Sequence, residues 1–383
     1  MSVNGKWLVR QLAKSRASLG ALMVALGTPQ VALAEWETNL TQGVTDYSRT
    51  VFDIHMTLFW ICVVIGIGVF GVMIYSIFAH RKSKGAIPAT FHHSTAVEIA
   101  WTVLPTLLLV VMAIPATIAM IELEDNSKSD MTIQVTGFQW KWQYKYLGED
   151  LSFFSNLSAE SRDQVRYDRP DAENFLLDVD KHLVIPVGKK VRFLITSNDV
   201  IHSWWVPAFG WKQDAMPGFI NEGWTKVDEP GIYRGQCTEL CGVDHGYMPI
   251  VVEVKPLDEY EAWIAEQKAE VLATAASGDR ERAMDELMAK GEKVYMTYCV
   301  ACHQANGQGI PPAFPPIAGG PIATGPVEGH LDQAMNGVPG TAMQAFAKQL
   351  NDVDLAAVVT YQRNAFGNDM GDLVQPATVK AAR

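Results

Sequence analysis

Two apolar stretches, at about 56–79 and 100–121, restrict this chain more than any other feature. Each is near the roughly 20 residues that a spanning helix needs. The segment between them reads HRKSKGA and carries Arg81, Lys82 and Lys84. Positively charged loops stay on the cytoplasmic side, so the pattern predicts a hairpin whose two ends face outward, with everything after about Glu122 outside. The start of the chain agrees. Lys6, Arg10, Lys14 and Arg16 precede an apolar run at 17–26 and the small-residue site Ala32-Leu33-Ala34. That order predicts a signal peptide over 1–34 and a mature start near Glu35. Hydrophobic residues make up 48% of the 383, yet they concentrate in these stretches, which suits membrane segments better than one large core. The net charge of -11 argues against nucleic acid as a partner and suits a basic protein.

The exported part divides in two. From 123 to 256 the pattern is mostly strand. MTIQVTGFQWKWQYKY alternates, LVIPVGKKVRFLIT holds two β-branched runs around a Pro-Val-Gly turn, and PIVVEVKP is a further strand. Short strands between turn signals predict an antiparallel sandwich or barrel. Residues 257–285 read as a helical linker rich in Ala, Glu and Lys. Residues 286–367 place helical patterns on either side of the Gly/Pro-rich PPAFPPIAGGPIATGP, and 368–383 form a C-terminal tail.

The run CTELCGVDHGYM holds Cys237, Cys241, His245 and Met248, and His202 in NDVIHSWW ends the strand LITSNDV upstream. Two thiolates, two imidazoles and a thioether form a soft to borderline donor set that selects copper. A structural zinc site would use four ligands and no methionine. A disulfide, permitted by export, would leave His245 and Met248 without purpose. A blue-copper site needs a single cysteine, so the second thiol allows two copper ions bridged by both sulfurs. Cys62, alone in the first apolar stretch, reads as a small core residue.

A second chemical signature is CVACH. Cys299 and Cys302 have the spacing of covalent c-type haem attachment, with His303 as one axial ligand. The opposite axial position suits a methionine, which raises the haem potential. Met335, Met343 and Met370 are the candidates, and Met343 lies in a loop just before the capped helical pattern NDVDLAAVVTYQRNAFG.

Taken together, QWKWQYKY, IHSWWVP and CTELCGVDHGYMPIVVEV resemble cytochrome c oxidase subunit II over roughly 40–256, and 286–367 resembles a small class I cytochrome c. The combination is that of a caa-type haem-copper oxidase. The resemblance implies a multidomain chain: a two-helix transmembrane hairpin within 35–122, an all-β cupredoxin-like sandwich and a small all-α cytochrome c domain. It implies a dinuclear copper (CuA) centre with His202 and His245 each on one copper, Cys237 and Cys241 bridging, and Met248 and the Glu239 carbonyl as weak outer ligands. It gives the Glu239 carboxylate a magnesium ion shared with subunit I, and Met343 the haem iron. It makes Trp140 the residue that accepts electrons near the copper, on one strand face with Trp142, Tyr144 and Tyr146. It puts Glu98 at the mouth of a proton-uptake pathway, although the residues alone read Thr95-Ala96-Val97-Glu98 as a capping box.

The implied role is electron input to a proton-pumping terminal oxidase of the bacterial plasma (inner) membrane, its copper and haem domains on the periplasmic side. A donor such as cytochrome c would feed the haem, and subunit I, where oxygen is reduced to water, would receive the electrons, with subunit III alongside. The chain itself has too few membrane helices and histidines for an oxygen site. The alternative is a membrane-anchored copper/haem carrier for another reductase such as a nitrous oxide reductase-type system, whose large histidine-rich propeller is absent. Quinol oxidase subunits share the hairpin and sandwich but lack the copper ligands, and a metal-delivery protein would have to release its metal.

Overall fold

Two long helices, α1 (Asp46–Ala79) and α2 (Thr95–Glu124), carry most of the exposed apolar surface of the computed structural model. The structure describes residues 39–167, 173–276, 278 and 280–383, so the signal-peptide reading lies outside the described residues. Among the described residues, these are the two helices long and apolar enough to cross a membrane. Side chains such as Val64, Ile67, Leu104 and Leu109 are exposed around them. Such all-round apolarity suits lipid. Both helices outrun the predicted spans. At 34 residues α1 is about 51 Å long at 1.5 Å per residue, against a hydrocarbon core of roughly 30 Å.

The surplus is where the helices meet the β-domain. Thr45 caps α1, its hydroxyl accepting from the Ser48 amide at 2.9 Å and lying 3.2 Å from the Phe209 carbonyl, to which it can donate. The Val44 amide donates to the Ala208 carbonyl at 2.9 Å. Beyond the end of α2, the Lys190 ammonium donates to the carbonyls of Asp125 and Ser127. The two outer helix ends are thus fastened to one side of the β-domain, and the loop with Arg81, Lys82 and Lys84 lies at the other end of the hairpin.

The β-domain packs two five-stranded sheets. The first holds β1 (Met131–Phe138), β2 (Lys141–Tyr146), β3 (Leu151–Ser155), β5 (Val191–Ser197) and β8 (Asn221–Thr225), in the order β3-β2-β1-β5-β8. The second holds β4 (Leu183–Pro186), β6 (His202–Val206), β7 (Trp211–Ala215), β9 (Gly231–Cys237) and β10 (Ile250–Lys255), in the order β4-β10-β9-β6-β7. The fold is a cupredoxin-like sandwich, but not a purely antiparallel one. β1 runs parallel to β5 and β4 parallel to β10, pairings between distant segments that local patterning does not encode. The core between the sheets is aromatic: Trp142, Tyr144, Tyr146, Phe193, Trp204 and Phe209 are fully buried.

Three further expectations are corrected. MTIQVTGFQWKWQYKY is a hairpin rather than one strand, because Phe138 pairs with Lys141 across a two-residue turn at Gln139–Trp140. Trp142, Tyr144 and Tyr146 share the buried face, while Trp140 sits in the turn, half-buried. His202 opens β6; the strand LITS already ends at Ser197, and a turn intervenes. At α2 the N-cap is Ser94, one residue earlier than read, with no side-chain cap bond. Thr95-Ala96-Val97-Glu98 is therefore not a capping box, and Glu98 stands on the exposed surface of the first helical turns.

Helix α3 (Ala159–Tyr167) leads into the loop after β3, and α4 (Leu257–Ala276) leaves the sandwich. The C-terminal helical domain comprises α5 (Met284–Tyr298), the single turn α6 (Val300–His303), α7 (Val327–Asn336) and α8 (Asp352–Asn364) around a common core. Asn351 caps α8 through its side chain. The tail is not featureless: α9 (Pro376–Ala382) buries Val379 in that core, and Arg383 pairs with Asp352 at 2.5 Å.

Candidate metal and haem centres

The loop from β9 to β10 and the start of β6 bring all the sequence-predicted copper ligands together. The Cys237 and Cys241 sulfurs are 3.8 Å apart, far beyond the roughly 2.05 Å of an S–S bond, and both thiols are free and buried. His202 Nδ1 lies 4.0 Å from the Cys237 sulfur and His245 Nδ1 3.5 Å from the Cys241 sulfur. Met248 Sδ is 3.6 Å from Cys241, and the Glu239 carbonyl 3.4 Å from Cys237. Each thiol therefore has its own imidazole nitrogen and its own weak outer donor. This paired arrangement of soft donors fits two copper ions sharing both sulfurs.

The surroundings hold those donors in place. His202 is fully buried and its Nε2 is 2.9 Å from Asp199 Oδ1, which leaves Nδ1 directed at Cys237. Burial alone would depress the imidazole, but the bonds to Asp199 and Cys237 outweigh it and raise the pKa above the ordinary histidine value. The hydrogen bond from Cys241 pulls the Cys237 thiol down to about 3 against its burial, with His202 and backbone hydrogen bonding at Glu239 and Ser203 assisting, and the same bond keeps the proton on Cys241. Trp142 donates to the Met248 carbonyl at 3.1 Å, fixing the loop beneath its thioether. On the other side of the loop, Trp140 Nε1 and Gln139 Nε2 both donate to the Cys241 carbonyl, at 3.1 and 2.8 Å.

In the helical domain, Cys299 caps α5, and Cys302 and His303 follow on α6. His303 Nδ1 bonds the Pro315 carbonyl at 2.9 Å, which orients the ring and would leave Nε2 as the atom for an axial ligand. Burial keeps the imidazole neutral by lowering its pKa and pushes the Cys299 and Cys302 thiols up to about 12 and about 11. Neutral, shielded thiols at this spacing fit thioether attachment better than a metal-binding thiolate pair. Met343 packs, half-buried, against the same core as Cys299. Met335 is interior to α7 and 5% exposed, and Met370 is exposed.

Comparison with known proteins accords with these two centres. Residues 131–255 match the periplasmic domain of cytochrome c oxidase subunit II, 34–118 its transmembrane domain, and 286–361 cytochrome c oxidase, cbb3-type, subunit III. A Rickettsia bellii protein described as "Probable cytochrome c oxidase subunit 2" is 39% identical over 226 residues, 59% of this chain and 80% of that one. The chain belongs to the cytochrome c oxidase subunit II family. Cytochrome c oxidase subunit 2 of Cereibacter sphaeroides is 37% identical over 54% of this chain and 73% of its own, and a Rickettsia felis relative is matched over 64% of its length. The solved periplasmic domain of the Bradyrhizobium japonicum subunit II is 41% identical, covering 37% of this chain and 96% of that one, with a TM-score of 0.33. The family matches stop before the cytochrome c domain, which this chain carries C-terminally, as in caa-type oxidases. The chain is accordingly a membrane-anchored subunit of an oxidoreductase complex.

Several residues that build the site were not singled out from sequence. Asp199, Gln139 and Gly137 act through side chains or space that only the fold brings to the ligands. Asp199 carries the one available signal, a polar residue in the NDV turn directly ahead of His202.

Proposed function

We propose that this subunit receives electrons at its C-terminal domain from cytochrome c or another external donor and delivers them through the β-domain to oxidase subunit I. There oxygen would be reduced to water and protons pumped. When bound, a covalent haem and a dinuclear copper pair would supply the one-electron carriers. The observation that carries this reading is the paired donor set that His202 of β6 completes with Cys237, Cys241, His245, Met248 and the Glu239 carbonyl of the β9–β10 loop.

The protein's part is to hold those donors still. The bond to Asp199 holds His202, and bonds to the Cys241 and Met248 carbonyls tie the ligand loop. A rigid, largely buried cage favours fast transfer because little must move. Cys299 and Cys302 would hold the haem, with His303 and Met343 as its axial ligands. Trp140, whose Nε1 donates to the Cys241 carbonyl, would be the residue that accepts electrons.

Part of the loop is open to the surface. Leu240 and Val243 are 78% and 66% exposed, and Gln236, Cys237, His245, Gly246, Met248 and Pro249 line a pocket beside the ligands. An apolar, ligand-lined face suits coverage by subunit I, where the half-buried Glu239 carboxylate would supply the hard oxygen that magnesium prefers. The hairpin fits the bacterial plasma membrane with both centres on the periplasmic side. Subunit III would complete the complex. Glu98, exposed near the basic loop, would serve at a proton-uptake mouth.

The test is to mix the purified complex rapidly with reduced cytochrome c and follow the haem and copper absorption bands. Reduction of the haem followed by the copper supports the proposal. Copper reduction without prior haem reduction contradicts the assigned order.

A further inference from the structure

The helical domain touches the β-domain at the turn that leads to the copper ligands. Gln344, next to Met343, donates through Nε2 to the Gln139 carbonyl at 3.0 Å and to Asp199 Oδ2 at 3.1 Å. Asp199 Oδ2 also accepts from the Gln139 amide at 2.8 Å, while Asp199 Oδ1 faces His202 Nε2. Gln139 in turn reaches the Cys241 carbonyl. One amide of the helical domain thus sits on two short hydrogen-bonded arms. One ends at His202, the other at Cys241.

The contact has further parts. Lys141, 4% exposed, holds its ammonium 4.4 Å from the Tyr298 ring, 5.4 Å from that of Phe346 and 5.3 Å from that of Phe154. Tyr298 and Phe346 come from the helical domain and Phe154 from β3, so one lysine side chain is enclosed by rings of both domains. Arg162 of α3 donates to the Met296 carbonyl. Gly242 meets the same turn: a Cβ there would stand 2.9 Å from Trp140 Cζ2. The turn is therefore packed on the copper loop from one side and on the helical domain from the other.

We infer that Gln344 is a positioning residue that latches the haem domain onto the copper domain and, through Asp199, sets the orientation of His202. Because Met343 precedes it, the same loop serves the haem axial position and the copper ligand cage. Docking of the haem domain is thereby sensed at the copper centre. This inference rests on the reading of His202 as a copper ligand.

The test uses the full chain in its membrane complex, with Gln344→Ala and Gln344→Glu. Hydrogen exchange of the peptide 138–142 reports docking, and the electron paramagnetic resonance and absorption of the copper report His202. The haem spectrum confirms that the helical domain is folded. Gln344→Ala is expected to speed exchange about tenfold, as loss of a hydrogen bond to a charged acceptor would, and to shift the copper spectrum. Gln344→Glu, which sets a carboxylate against Asp199, is expected to do both more strongly. Wild-type exchange and wild-type copper spectra in both variants would overturn the latch. Faster exchange with an unchanged copper spectrum would overturn the coupling to His202. A wild-type complex without a copper signal would overturn the copper reading itself, and the latch with it.

Discussion

Gly137 and the copper-ligand candidate His202 are in direct van der Waals contact: a Cβ on Gly137 would lie 2.7 Å from His202 Cδ2. β1 approaches the ring from the facing sheet, and only a hydrogen fits between them. Gly137→Ala is expected to displace the imidazole, at an overpacking cost of about 1–3 kcal/mol, and to lower copper content and alter the copper spectrum. Metal analysis of the purified complex checks this, and full copper with an unchanged spectrum would contradict it.

Cys241→Ser is expected to leave Cys237 as the one thiolate beside His202, since serine remains neutral. The pair of copper ions should be lost and a single-copper signal appear, or none. The haem should be unaffected, because the two sites share no ligand. Metal analysis beside a haem assay separates the two effects.

Met343→Ala should lower the haem potential by on the order of 0.1 V, within the roughly 0.8 V that axial ligands command. Met335→Ala, deleting a side chain buried in the core, should instead lower thermal stability by about 2–5 kcal/mol with little change in potential. Redox titration and thermal denaturation of both variants distinguish ligand from core residue, and the reverse pattern would assign Met335 to the iron.

Burial lowers the Lys141 ammonium to about 7, with Cys299 and Asp199 partly opposing the shift. Between that value and the ordinary lysine range, the unfolded chain binds the proton and the folded chain does not. Stability should therefore rise with pH across this window, by up to about 1.4 kcal/mol per pH unit, and level off below 7, where both states bind the proton. Lys141→Met should remove this slope. Thermal midpoints from pH 7 upward test it, and a slope that persists in the variant would assign it to another group.

The residues that proved legible are those whose partners are close in sequence. Cys237, Cys241, His245 and Met248 lie on one loop, and Cys299, Cys302 and His303 on one turn, so spacing alone brought each set together. His202 was legible as a member of the donor cluster but not as the start of a strand. The Gln139–Trp140 turn was hidden because it has none of the Asn, Asp or Gly that mark two-residue hairpins, and its aromatic neighbours read as continuous strand. The parallel pairing of β1 with β5 joins segments with no local signal, as does the bond from Gln344 to Asp199. The α2 cap slipped by one residue because Ser94 and Thr95 are both good caps and nothing local chooses between them.

The central claim is that Cys237 and Cys241, each flanked by one imidazole, hold a copper pair. Electron paramagnetic resonance of the oxidised, copper-loaded full-length chain tests it most directly. A hyperfine pattern from one electron shared over two copper nuclei is expected. A single-copper pattern, or bound zinc with no copper signal, would contradict it.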